Sequence, residues 1–510
     1  MQPRERDYAY AGSFYAFAIW CGMGVAGVCE ALRRVLKSDN LCAALSCLCV
    51  LVPIQMAGQT WDDHDRSGRY TCRDFGQNYL QTLQEGAGPI IFTNGDNDTF
   101  PLWYCQETEG LRTDARVCNL SYLQTDWYID QMKRPAYDSP SVPIHWSRLQ
   151  YVAGTREGIS VRPNTLKQVI DYYKDNPELM REMLGDNPYE LRNIIDKWVL
   201  NDNPELQIIP TDSIVLTIDK EAVRKSGMMM AADSIPDVMH ISLKGKRAVY
   251  KSEMMMYEML AQCNWERPIY VAITVGERNY GSLGNYFVQE GLAYRVTPFN
   301  TKANGRDVDT DKMYENVMTR FAFGGLEENP DMYIDETVQR MCYTHRRIFG
   351  TLATRLMAEG KTDKAARLVA YAEKVLPAKA LPHCYASGSL DLAQVWMQLG
   401  DTKMVEEIAA PVAKSAVEYL DWYLSLPTNM LMQQERNTIY HMYQLNAAAR
   451  LLKDAGCKLG EDMEKKVMAY NGILQRIYYG QMDTEVGVTD TNHEDTDEEE
   501  EDYTSSDIGQ

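Results

Sequence analysis

Two long uncharged runs open the chain, at residues 8–29 and 40–61. Each matches the thickness of a bilayer's hydrocarbon core when helical. The first begins with aromatic residues and ends in a Gly- and Ala-rich half, which suits close helix packing. The second contains Pro53, expected to kink it, and ends at Trp61, a residue type favoured at the lipid–water boundary. The pattern predicts a transmembrane hairpin over 1–61, with spans at about 8–31 and 40–61. The plain alternative is a buried helical hairpin in a soluble protein. Arg33, Arg34 and Lys37 lie in the connecting loop. Positive-inside reasoning puts that loop in the cytoplasm and everything after the second span on the outer side. A start this close to an outward-leading span suggests the C-terminal part of a longer membrane protein.

Beyond the spans the pattern changes. Residues 89–93 read as a short buried strand, 94–98 as a turn-rich loop, and a helix follows from about Thr99 to Gly110. Asp98 or Thr99 is the expected N-cap, with Pro101 in the first turn. A second strand at 115–120 and a second helix at 125–132 complete a strand–helix–strand–helix unit, the building block of a parallel sheet. Residues 238–243, 268–274 and 293–297 read as further strands and 251–262 as a helix. The runs Met228–Met230 and Met254–Met256 read as core filling.

From about Asp331 strand signals vanish. Residues 348–376 and 390–413 both read helix–turn–helix, with Gly360 and Gly400 in matching turns, and 437–479 suggests a third pair. Paired helices around small turn residues are the signature of a repeat array. The expected fold class is therefore α/β plus all-α. It comprises the two transmembrane helices, a parallel-type α/β domain over 62–325, a tetratricopeptide-like helical repeat domain over 331–480, and an acidic tail over 483–510.

Composition is ordinary for a globular protein, with 45% apolar and 24% charged residues. The net charge of −20 argues against a nucleic-acid partner, because twelve acids and no Lys or Arg lie in Asp483–Gln510 and the remainder is still mildly acidic. The twelve cysteines contain no CxxC pair, which leaves no zinc-ribbon or thioredoxin-like motif.

Three clusters carry candidate chemistry. Asp62, Asp63, His64, Asp65 and Arg66 follow the second span and have the donor types to bind a divalent cation or a polar headgroup at the membrane interface. The plain alternative is a helix N-terminus, where Asp complements the dipole. Asp96, Asn97 and Asp98 follow the first strand, where open α/β sheets bind ligands. Helix capping alone would also explain Asp98. Asn119, Asp126 and Trp127 lie beyond the second strand. A carboxylate beside an indole suits a sugar, with hydrogen bonds at its hydroxyls and stacking on its face. No GxSxG, HExxH, P-loop or GxGxxG motif assigns an enzyme class, and a metal-dependent hydrolase ranks last because no nucleophile–base pair stands out.

The strings RERDYAYAGSFYAFAIW (4–20), WDDHDRSGRY (61–70), FTNGDNDTFPLWYCQE (92–107) and TDWYIDQM (125–132) resemble one family. It is that of the bacterial multi-spanning envelope proteins related to the transmembrane protein 260-like protein O-mannosyltransferases. The resemblance runs along nearly the whole chain. It implies a C-type glycosyltransferase membrane bundle with an outward domain, transferring a sugar from a polyprenyl-phosphate-sugar donor to exported acceptor proteins. The implied location is a bacterial inner membrane with the large domains in the periplasm. The family's catalytic acids precede the part matched, so no catalytic residue is carried over. The expected role is acceptor positioning, and the rival is a non-catalytic scaffold for envelope assembly.

Overall fold

The computed structural model describes residues 7–479, and the acidic tail lies outside the described residues. The described residues form two compact units, divided between Gly68 and Arg69.

The first unit holds α1 (Ala11–Arg33), α2 (Asp39–Cys47) and α3 (Leu51–His64). Two helices, Tyr8–Arg33 and Asp39–Trp61, are long and apolar enough to cross a membrane. None of the first apolar window and 11% of the second is buried, which weakly suggests a membrane anchor. Phe17, Trp20, Val52 and Ile54 point outward. Helix α1 packs against α2, whose first turn is capped by Ser38 accepting from the Leu41 N–H at 3.4 Å. A tightened turn at Leu48–Val50 precedes α3. Pro53 has no N–H to give the Cys49 carbonyl, and the ladder is irregular just there.

In the second unit, α4 (Thr71–Thr82) leads to β1 (Ile90–Thr93), α5 (Asp96–Glu109), β2 (Arg116–Asn119) and α6 (Asp126–Met132). Next come β3 (Gly158–Val161), β4 (Ile208–Ile209), β5 (Ser213–Thr217), β6 (Val238–Ser242) and β7 (Ala248–Tyr250). Then follow α7 (Lys251–Cys263), β8 (Ile269–Ala272), β9 (Phe287–Gln289) and β10 (Ala293–Val296). The main sheet has the order β2-β1-β8-β10-β9. Strand β1 lies parallel to both β2 and β8, while β10 runs antiparallel to β8 and β9, so the sheet is mixed.

Strand β6 does not join this sheet as the strand–helix–strand pattern suggested. It pairs antiparallel with β5 in a separate ribbon. The side chains explain the difference. Met239 and Ile241 are buried while His240 and Ser242 are exposed, the alternation of a one-sided strand. Every residue of β1, β2 and β8 is buried, as strands covered on both faces require. The Met254–Met256 run of α7 is core, each residue at 2% exposure or less.

Helix α5 starts three residues earlier than the sequence pattern predicts. Gly95 takes a φ of +81°, which turns the chain directly into the helix and places Asp96 and Asp98 in its first turn. Helices α4 and α5 touch backbone to backbone at Gly76, where a methyl group would run into Pro101.

The C-terminal part is all helix: α8 (Glu336–Ala358), α9 (Thr362–Val375), α10 (Ser389–Gln398), α11 (Thr402–Ser425), α12 (Glu435–Asp454) and α13 (Lys458–Tyr479). Three hairpins share one turn. Gly360, Gly400 and Gly456 adopt positive φ, and the next residue's N–H reaches back five positions: Lys361 to Leu356, Asp401 to Trp396, Cys457 to Leu452. This bond closes a helix C-terminus when a left-handed residue follows it. Helix α8 packs on α9 and α10, α10 on α11 and α12, and α12 on α11 and α13. One apolar core runs from Phe75 through the sheet to Leu474. Asn78 of α4 stitches the two parts, donating to the Ala322 carbonyl at 2.7 Å, accepting from the Ala322 N–H at 2.9 Å and meeting His345 Nε2 of α8 at 2.8 Å.

Candidate functional site

Because β2, β1 and β8 are parallel, their carboxyl ends share one edge. Thr93, Asn119 and Thr274 sit at or just beyond those ends. The Thr93 and Thr99 hydroxyls lie 2.8 Å apart, and Thr99 donates to the Gly95 carbonyl at 2.7 Å. Asn119 donates to Thr99 Oγ1 at 2.9 Å and accepts from the Tyr122 N–H at 3.2 Å. Its backbone N–H donates to Tyr128 Oη at 3.0 Å. Asn119 is fully buried, and through these bonds its side chain braces the two loops.

Asp98 is also buried. It accepts from the Thr274 hydroxyl at 2.6 Å, and Tyr79 Oη lies 3.1 Å from the same hydroxyl. Burial raises its pKa to about 6, against the opposing pull of Thr274 and the Asn94 backbone. The carboxyl group therefore exchanges its proton near neutral pH. The same burial, with Asp98 nearby, pushes the Tyr79 phenol well above its usual value.

Asp96 and Asn97 are exposed on the rim. The Tyr122 hydroxyl donates to Asp96 Oδ1 at 3.2 Å, and Ser121 Oγ donates to Asn94 Oδ1 at 2.8 Å. Tyr122 also carries Trp127, their ring centroids 5.8 Å apart. Asp96 and Trp127 are thus joined through Tyr122, a residue the sequence reading passed over. Asp126 turns elsewhere. Its carboxylate accepts from the Ala153 N–H at 3.2 Å and faces Arg148 at 3.9 Å. The Ala153 bond is the main reason its pKa is lowered.

The aromatic surface was also missed. Phe100 and Trp103 of α5 stack at 5.7 Å, and Trp103 and Tyr122 stack at 6.3 Å. The spacing of Phe100, Trp103 and Tyr104 on one helical face was visible in the sequence.

The Asp62–Arg66 cluster belongs to the first unit. Asp62, Asp63 and His64 form the last turn of α3, so the helix N-terminus alternative is corrected to a C-terminus. The side chains of Asp62 and Asp63 lie outside the described residues. His64 Nδ1 lies 2.9 Å from the Thr60 carbonyl, and Asp65 accepts from the Ser67 N–H at 2.8 Å. Among the described residues no group of three or more His, Cys, Asp or Glu side chains is arranged to hold a metal ion.

Residues 72–314 match the family model TMEM260-associated domain 2, which supports a TMEM260-related family. The matched stretch contains β1, α5, β2 and β8, and hence the whole of the strand-edge site. No solved structure matches the chain.

Proposed function

We propose that the chain is the outward-facing, acceptor-positioning part of a bacterial membrane protein O-glycosyltransferase. Mannose carried on a polyprenyl phosphate is the proposed donor, and exported proteins are the acceptors. The observation that carries this reading is the TMEM260-associated match over the unit bearing the Asp96–Tyr122–Trp127 site. In this reading the two apolar helices anchor the chain in the inner membrane and the larger unit faces the periplasm. Asp96 meets sugar hydroxyls, Trp127 stacks on the ring, and Asp98, with a pKa of about 6, holds or releases a proton beside them. The helical hairpins act as a tetratricopeptide-like groove for extended polypeptide.

The test is deletion of the gene followed by mass spectrometry of exported proteins. O-linked hexose should disappear, return with the wild-type gene and return poorly with Asp96→Asn. Unchanged O-linked hexose in the deletion strain would overturn the reading.

The three Gly-turned hairpins favour a second reading, a non-catalytic scaffold that assembles envelope proteins. Under it, deletion would disturb assembly and leave glycosylation intact.

A further inference from the structure

The helical array has two unlike ends. At one end lie the three glycine turns, MAEGKTDK (357–364), QLGDTK (398–403) and KDAGCKLGED (453–462), each carrying charged residues. At the other end the chain passes from α11 to α12 through LPTNMLMQQ (426–434), which carries none. Its apolar side chains are uncovered. Met430 is 53% exposed and Met432 46%, and Trp422 in the last turn of α11 is 53% exposed. Tyr478 of α13 donates to the Leu431 carbonyl at 3.0 Å, so α13 also finishes here.

This uncharged end is the one at which the larger unit begins. Arg69 and Tyr333 stand just before α4 and α8, and the guanidinium lies over the ring at 5.2 Å, so the two helices start side by side. Gly388 lies against Arg347 and Gly350 against Asp391, so α10 runs in the same direction as α8. The turn at Gly400 reverses the chain, and α11 therefore comes back toward the end where α4 and α8 start. Tyr70 and Tyr333 are exposed at that end too.

An exposed apolar cluster marks a contact surface, and the covalent chain selects its occupant. Only residues 65–70 join α3 to α4, a length that reaches about 25 Å at full extension. With the apolar helices in a bilayer, the start of α4 stays within that reach of the headgroups. Methionine adapts to an irregular apolar surface, and Trp and Tyr favour the headgroup level.

We infer that the 426–434 end of the helical array docks on the lipid surface of the bilayer that holds the anchor. Met430 and Met432 enter the outer acyl region, and Trp422, Tyr70 and Tyr333 lie at headgroup level. The inference rests on the anchor reading above and not on sugar transfer. It goes beyond that reading, because a tether alone leaves the larger unit free to swing, whereas a second contact with lipid fixes the direction its helices point.

The experiment places the full chain in phosphatidylcholine vesicles whose acyl chains carry bromine, a quencher of indole fluorescence, either close to the headgroup or deep in the chain. The emission difference between wild type and Trp422→Phe isolates Trp422, and that between wild type and Trp20→Phe isolates an indole of α1. Trp422 should lose most of its emission to shallow bromine and little to deep bromine, while Trp20 responds to deep bromine. Combining Met430→Asp with Met432→Asp should release Trp422 from quenching and leave Trp20 quenched. Both methionines are exposed, so the double variant keeps the fold. Trp20 quenched and Trp422 untouched would overturn the docking and leave the anchor standing. Neither indole quenched would overturn both. Quenching of Trp422 that survives in the double variant would overturn the role of the turn. So would an unquenched Trp422 in a chain that dimerises in detergent and is split by the double variant, since the occupant would then be a second copy.

Discussion

The Thr274 hydroxyl donates to the Asp98 carboxylate at 2.6 Å, across 176 positions of sequence. That bond ties the end of β8 to the first turn of α5, as Asn119 ties the end of β2 to Thr99 of the same turn. Three parallel strand ends converge on one helix start, which is why the rim residues hold fixed positions.

Asp98 has a pH signature. Its folded pKa is about 6, above the ordinary value of 3.8, so the fold favours the protonated acid. Its stabilising contribution is complete below pH 4 and is lost as pH rises through 6. Asp98→Asn should therefore raise thermal stability at pH 7.5 by about 2 kcal/mol and change little at pH 4. Thermal melts at the two pH values check this.

His345 acts in the opposite direction. Burial lowers its pKa to about 4, from an ordinary 6.5. Its contribution is present above pH 6.5 and is lost as pH falls through 4. Wild-type melts between pH 4 and 6 should therefore look flatter than either group implies. His345→Gln should expose the Asp98 trend in the same series of melts.

Asn119→Ala should cost about 2 kcal/mol, because the Thr99 hydroxyl and the Tyr122 N–H lose a buried partner. It should also loosen Tyr122 and its bond to Asp96. Denaturant unfolding checks the cost in stability.

Gly400→Ala should cost about 1 kcal/mol from its left-handed turn. Gly460→Ala should cost more, because a methyl there meets the Lys453 backbone of α12 inside a tight helix contact. The order of the two melting temperatures is the check, and a reversal would mean that α13 can shift away.

The membrane-length helices predict that the full chain stays with membranes after alkaline carbonate washing. Appearance in the supernatant would contradict the anchor.

Much of this was legible because burial leaves a strong pattern. The uncharged runs gave the apolar helices, and Ile90–Thr93 and Ile269–Ala272 were apolar enough to read as central strands. The hairpin turns at Gly360 and Gly400 were visible from their flanking helices. Gly456 was not singled out, since the 24-residue length of α11 breaks the even spacing. The site was read only in part. Asp96 and Trp127 were named, but their link through Tyr122 depends on how α5 lies against the following turn. Asp126 and Asn119 have the right chemistry, yet their partners, Ala153 and Thr99, are set by tertiary folding. Thr274 could not be anticipated, because only parallel pairing of β1 with β8 brings it to Asp98.

The contact of α4 with α5 at Gly76 has a mechanical consequence. With no side chain between the two backbones, α5 has no cushion along which to slide or roll. A larger side chain at residue 76 would have to prise the start of α5 away from α4, and with it the carboxyl group that Thr274 holds.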